Sequence, residues 1–228
     1  MHSVVSRTRR SEDATTSLRS GHLNTNGSVQ EMKRPRQGRR WVTPILLWII
    51  TLCLWLPGLG NLPLRDWDEG RVATVARSTT GLLPMKWGRS SRNKPPGPHW
   101  PMGQLIRSQG EQESVVRLLP ALTSSLAIPL IVLLRRNLGG QGHDRSALLA
   151  GVVLMTLLPM ARHGRLAMLD GSLVSCSLLL WWGWLGCKTS SGRALAAGFA
   201  CSGVLLLKPP ALLGFGVIAL LAGGCRLH

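Results

Sequence analysis

Six apolar stretches divide the chain, at 41–60, 115–134, 147–161, 171–186, 194–207 and 211–224. A helix needs roughly 20 predominantly apolar residues to cross a bilayer. The first two stretches reach that length and the others approach it. The pattern predicts an all-α, polytopic transmembrane bundle of about six helices. Residues 1–40 differ: they are polar, rich in small residues and without periodicity, which predicts a disordered tail. That tail ends in the polybasic "KRPRQGRR". The expected organisation is therefore a basic tail over 1–40 and a membrane region over 41–228.

The charged residues between the stretches give an orientation. Lys and Arg favour the cytoplasmic side of a membrane, so the basic cluster places the N-terminus there. The alternating loops that follow hold Arg135, Arg136, Arg145, Lys188, Arg193 and Arg226 on the same side. The expected location is the inner cell membrane. One outer segment, 61–114, breaks this pattern with Arg65, Arg71, Arg77, Lys86, Arg89, Arg92, Lys94 and Arg107. At about fifty residues it nears the length where the rule fades. It reads either as a solvated loop with surplus charge or as a loop that handles an anion, which arginine grips through paired hydrogen bonds.

The formal net charge is +17 over 228 residues. Apolar blocks of this length make that a membrane signature rather than a nucleic-acid one, and no zinc-knuckle or aromatic-basic RNA motif accompanies it. No nucleic-acid partner is expected. The five cysteines lie in or beside apolar stretches without a framework spacing, as packing residues do.

Acids are scarce, ten against 27 Lys and Arg, yet "RDWDEG" gathers three of them at 65–70. Asp66 followed three residues later by Glu69 has the spacing of a capping box. Val72, Val75, Ala76 and Thr79 then share one helical face. The stretch predicts a short amphipathic helix on the outer membrane surface, stopped by Gly81. Capping accounts for Asp66 and Glu69, and Asp68 suits the positive end of the helix dipole. Other charges fall on the same side. Lys94 stands just before Pro95 and Pro96, Asp170 opens the fourth helix, and Lys208 sits at the outer end of the fifth within an apolar run. Snorkelling explains Arg165 or Lys208 singly, and an N-cap explains Asp170. Their convergence points instead to function, because charge at membrane depth is costly.

The order "DWDEGRVATVAR", "NKPPGPHW", "ESVVRLLPALTSSLAIPLIVLLRR", "GRLAMLD", "LLLKPP" resembles the bacterial protein O-mannosyltransferase-like glycosyltransferases, a group that includes the lipid A aminoarabinose transferases. The resemblance runs from about Trp41 to the end. It implies a GT-C fold, a polyprenyl-phosphate-linked sugar as donor, a lipid or protein acceptor, and an outer-face site. It further implies catalytic roles for Asp68, Glu69 and Asp170, and donor-phosphate binding by Arg71, Lys94 and Lys208. A divalent metal is used by some such sites; here Asn93 stands where a glutamate is common, which leaves any metal ligands unknown. Family enzymes are roughly twice this length, so a C-terminal half is the implied missing partner.

The chemistry suits these residue types. A polyprenyl phosphate leaves with charge stabilisation rather than a proton, which Arg71, Lys94 and Lys208 supply. The acceptor hydroxyl needs a base, for which Asp68 is the first candidate, with Asp170 sharing or orienting. Two rival readings stand beside this one. A transporter fragment would keep its charges near the membrane midplane, whereas these gather at helix ends. A truncated, non-catalytic remnant or split half fits the length and Asn93.

Overall fold

The structure is a computed structural model and describes residues 39–65, 67–81, 83–86, 89–90, 95–139, 144–186 and 189–224. In chain order its elements are α1 (Arg39–Trp55), α2 (Glu69–Ser78), β1 (Met85–Lys86), β2 (Arg89–Ser90), α3 (His99–Gln109), α4 (Glu113–Ser125) and α5 (Ala127–Gly139). They continue as α6 (Asp144–Thr156), α7 (Leu158–His163), α8 (Asp170–Gly186), α9 (Ser190–Leu207) and α10 (Pro209–Gly224). The two short strands pair antiparallel, Met85 opposite Ser90.

Each apolar stretch of the sequence falls largely on helix, the first only as far as Trp55. The second is α4 and α5 together, and with Ser190–Leu207 it is long and apolar enough to cross a membrane, at 27 and 18 residues. The third breaks at Leu157, and Pro159 stands in the first turn of α7, where a missing N–H costs nothing. The last two stretches are separate helices. Their break is at Lys208, whose extended backbone (φ −157°) precedes Pro209 and Pro210, as a residue before proline prefers. Two elements were not legible in the sequence. These are the strand pair and α3, whose single turns of apolar spacing are interrupted by His99, Gly103 and Gln104.

Small residues hold the long helices together, as they must where lipid removes the hydrophobic drive between helices. On α8, a methyl added at Gly171 would collide with the Ser124 side chain. Just after it, Ser172 Oγ lies 2.6 Å from Thr123 Oγ1, and one turn on Ser175 Oγ donates to the Ser124 carbonyl at 3.1 Å. Farther along, Gly183 faces Ala196 and Gly203 faces Cys176, each within 2.7 Å of an added Cβ, so α8 and α9 run antiparallel in close contact. On α1, Leu47 and Thr51 turn inward while Ile45, Leu46 and Ile49 are about half exposed. Phe199 and Leu213, on α9 and α10, are 74% and 76% exposed, the reverse of a water-soluble helix and suited to lipid.

Side-chain bonds define the two ends of this bundle. At one, Arg136 of α5 pairs with Asp144 of α6 at 2.9 Å and donates to Thr43 Oγ1 of α1 at 3.0 Å. The opposite ends of α1, α4, α8 and α9 meet α2, α3 and the loop before α8. The candidate site residues that the structure describes, Asp68, Glu69, Arg71, Asp170 and Lys208, belong to that second end.

Candidate functional site

The second end is organised by one carboxylate. Glu69 is fully buried at the start of α2. Its Oε1 accepts from Arg117 Nε and from the Ala167 backbone N–H, both at 2.8 Å. Its Oε2 accepts from Arg117 Nη2 at 2.7 Å and from the Arg65 backbone N–H at 3.1 Å. Arg117, on α4 and 4% exposed, spends its remaining hydrogens on three carbonyls of the chain after α1. Nη1 reaches Leu59 (2.6 Å) and Leu62 (2.7 Å), and Nη2 reaches Pro63 (3.0 Å). A guanidinium has five N–H donors, and here all five are used.

This closed knot explains how 59–65, α2, α4 and 165–169 are fixed to one another despite lying far apart in sequence. Burial alone would raise the Glu69 pKa. The Arg117 hydrogen bonds, those from the Ala167 and Arg65 backbone, and the Arg117 charge outweigh it and hold the carboxyl below its ordinary value. A buried pair of this kind is a fixed structural feature whose rupture is costly.

Asp68 and Glu69 therefore part company. The sequence treats them as an acidic pair; in the structure only Asp68 is exposed and available to a reactant. The expected capping box also takes another form. Asp68 is the N-cap, without a side-chain cap bond, and Glu69 turns inward to Arg117. Asp66 lies outside the described residues, and α2 ends at Ser78 rather than at Gly81. Arg71 is exposed one turn along, its Cζ 5.4 Å from the centre of the Trp67 ring, a cation–π distance.

The remaining candidates sit beside this cluster. Asp170 is the first residue of α8, three residues after the Ala167 amide that binds Glu69. Lys208 Nζ lies 3.5 Å from Asp170 Oδ1, with both side chains mostly exposed. Such a pair is worth little to stability and leaves both groups open to a ligand. Lys94 is outside the described residues, but the turn that follows it is placed. A Cβ on Gly97 would come within 2.5 Å of Leu206 Cβ, so the 95–98 turn lies on the end of α9, next to Lys208. Among the described residues, no three His, Cys, Asp or Glu side chains come together as a metal site would require.

Arg117 is the residue that sequence reasoning missed. It lies within an apolar run, "ESVVRLLPALTSS", whose acid at helical spacing, Glu113, is exposed while Arg117 is buried. The available signal was an arginine set among apolar residues, since a charge inside a membrane segment has a buried partner.

A mostly helical membrane bundle, with exposed carboxylates and cations gathered beside a buried ion pair at one end, has a GT-C type of architecture. The family model for dolichyl-phosphate-mannose-protein mannosyltransferases matches residues 96–223. The chain belongs to that family. Its fold is similar to the crystal structure of ArnT from Cupriavidus metallidurans in the apo state, with a TM-score of 0.60, 21% identity, and coverage of 75% of this chain and 33% of that one. The same enzyme bound to undecaprenyl phosphate gives 0.61 and 23%, covering 73% and 32%. The chain thus spans about a third of the length of these structures. No curated protein matches it.

Proposed function

We propose that this chain carries the donor end of a membrane glycosyltransferase. It moves a sugar from a polyprenyl-phosphate donor to an acceptor hydroxyl at the outer face of the cell membrane, with its N-terminus cytoplasmic. The observation that carries this reading is the grouping of Asp68, Arg71, Asp170 and Lys208 at one end of the bundle, around the knot of Glu69 and Arg117. Undecaprenyl phosphate, named with one of the matched structures, is a lipid of the proposed donor class.

In the proposed reaction Asp68 accepts the proton of the acceptor hydroxyl as that oxygen bonds to the anomeric carbon. The bond from that carbon to the donor phosphate oxygen breaks, and the phosphate departs with its negative charge. Arg71, Lys208 and Lys94 stabilise it there. The configuration at the carbon inverts. Asp170 holds Lys208 toward the phosphate and orients the acceptor. Glu69, four times hydrogen-bonded, is a positioning residue that fixes Asp68 beside it.

A second reading, a split half that works only with the rest of such a fold, is supported by the one-third span of the matched structures. The test is transfer of labelled sugar by membranes containing the chain. Polyprenyl-phosphate sugar is expected to serve and a nucleotide sugar is not. Arg71→Gln is expected to raise the donor concentration needed about tenfold, the loss of one charge-assisted contact. Efficient use of the nucleotide sugar would overturn the donor class. No transfer from either by the chain alone favours a split half or a non-catalytic remnant.

A further inference from the structure

A cavity of about 560 Å³ opens on the other side of the Glu69–Arg117 knot. Arg65, Arg117, Arg162 and Arg165 line it, between apolar walls that include Leu62 and Leu158. Among the described residues, none of Asp68, Arg71, Asp170 and Lys208 lines it, and neither does any acidic side chain.

The four arginines are not equivalent. Arg117 has spent every N–H on Glu69 and on the three carbonyls, and its charge is offset by that carboxylate. Arg165 is tethered by one bond, Nη2 to the Pro57 carbonyl at 2.7 Å, and its Nε is buried without a partner among the described residues. Arg65 joins the knot through its backbone N–H, which leaves its guanidinium free of that network. Arg162 stands on α7, one turn before Arg165. Three positive charges therefore face one concave space whose wall, among the described residues, carries no unpaired negative charge. Like charges held together in this way are relieved by an anion, and guanidinium forks fit phosphate oxygens in pairs.

The apolar walls narrow the choice further. Leu62 and Leu158 are 71% and 72% exposed, so carbon surface continues from the cavity to the outside of the bundle. A hydrated inorganic ion gains nothing from such a lining, whereas a headgroup with a hydrocarbon tail gains from both parts. We propose that this cavity binds the phosphate headgroup of an anionic lipid, a second lipid distinct from the polyprenyl-phosphate donor. The site goes beyond the donor assignment and does not depend on which carboxylate is the base.

Native mass spectrometry of the full chain, released from phosphatidylcholine nanodiscs, tests this with phosphatidic acid, phosphatidylcholine and inorganic phosphate as probes. Phosphatidic acid is expected to be retained in preference to both others. Arg162→Gln, which breaks no bond described above, is expected to weaken it about tenfold, as losing a charge-assisted pair does, and Arg162→Lys, which keeps the charge without the fork, to fall between the two. Arg65→Gln repeats the loss if the first variant misfolds. Arg71→Gln and Lys208→Gln are expected to leave phosphatidic acid binding unchanged while weakening undecaprenyl phosphate. Equal retention of phosphatidylcholine would make the cavity merely apolar, and equal affinity for inorganic phosphate would make it a soluble-anion site; either overturns the proposal. Loss of phosphatidic acid in the Arg71 and Lys208 variants, but not in the Arg162 and Arg65 variants, would sink it and leave the donor assignment standing.

Discussion

Arg117→Met is expected to cost about 3–5 kcal/mol, the range for removing one partner of a buried ion pair. The substitution leaves Glu69 charged and fully buried with two backbone donors, and it strips the Leu59, Leu62 and Pro63 carbonyls of theirs. The measured sign is a fall in Tm on the order of 10 °C in detergent. Glu69→Leu on its own strands the guanidinium instead. The double change removes both charges and should cost less than the sum of the two, because the pair acts as a unit. The same network sets the acid limit. The Glu69 pKa is depressed in the folded chain, so its contribution is fully present above the ordinary carboxylate pKa. It is lost as pH falls through the lower folded value. A Tm unchanged in Arg117→Met would show that the knot does not hold this end together.

Asp68→Asn is expected to lower transfer about 10²–10⁴-fold, the contribution of a positioned general base. The amide keeps the size and the N-cap position of the aspartate, which makes no side-chain cap bond in any case. Stability should therefore change little. The loss should appear in kcat, because donor binding rests on Arg71, Lys94 and Lys208 in this scheme. Glu69→Gln should show the opposite signature, a clear loss of stability together with whatever activity follows from a displaced Asp68. Full activity in Asp68→Asn would remove the base from the mechanism.

Much of this was legible in the sequence because membrane helices announce themselves by length of apolar run. The six runs fall largely on helix, and the acids and cations singled out at 68–71, 170 and 208 fall at one end of the bundle. The hidden part is tertiary. Glu69 looks like a capping residue or half of a catalytic pair because its neighbours in sequence are Asp66 and Asp68. What decides its role is an arginine 48 positions later and the amide of Ala167. The α3 helix was obscured by Pro98 and Pro101 and by Gly103, a residue required because a Cβ there would meet the Ala76 carbonyl at 2.5 Å. Local propensity argues against a helix at that point, and contact with α2 overrides it.

The central claim is that the carboxylates at 68 and 170 face the same side of the membrane, opposite the end held by Arg136 and Asp144. The most direct measurement is labelling with a membrane-impermeant maleimide of single cysteines at these positions, in a chain whose own cysteines have been replaced. Asp68→Cys and Asp170→Cys should react from the outer face alone, and Asp144→Cys only after the inner face is opened. Labels on opposite faces for positions 68 and 170 would contradict the account.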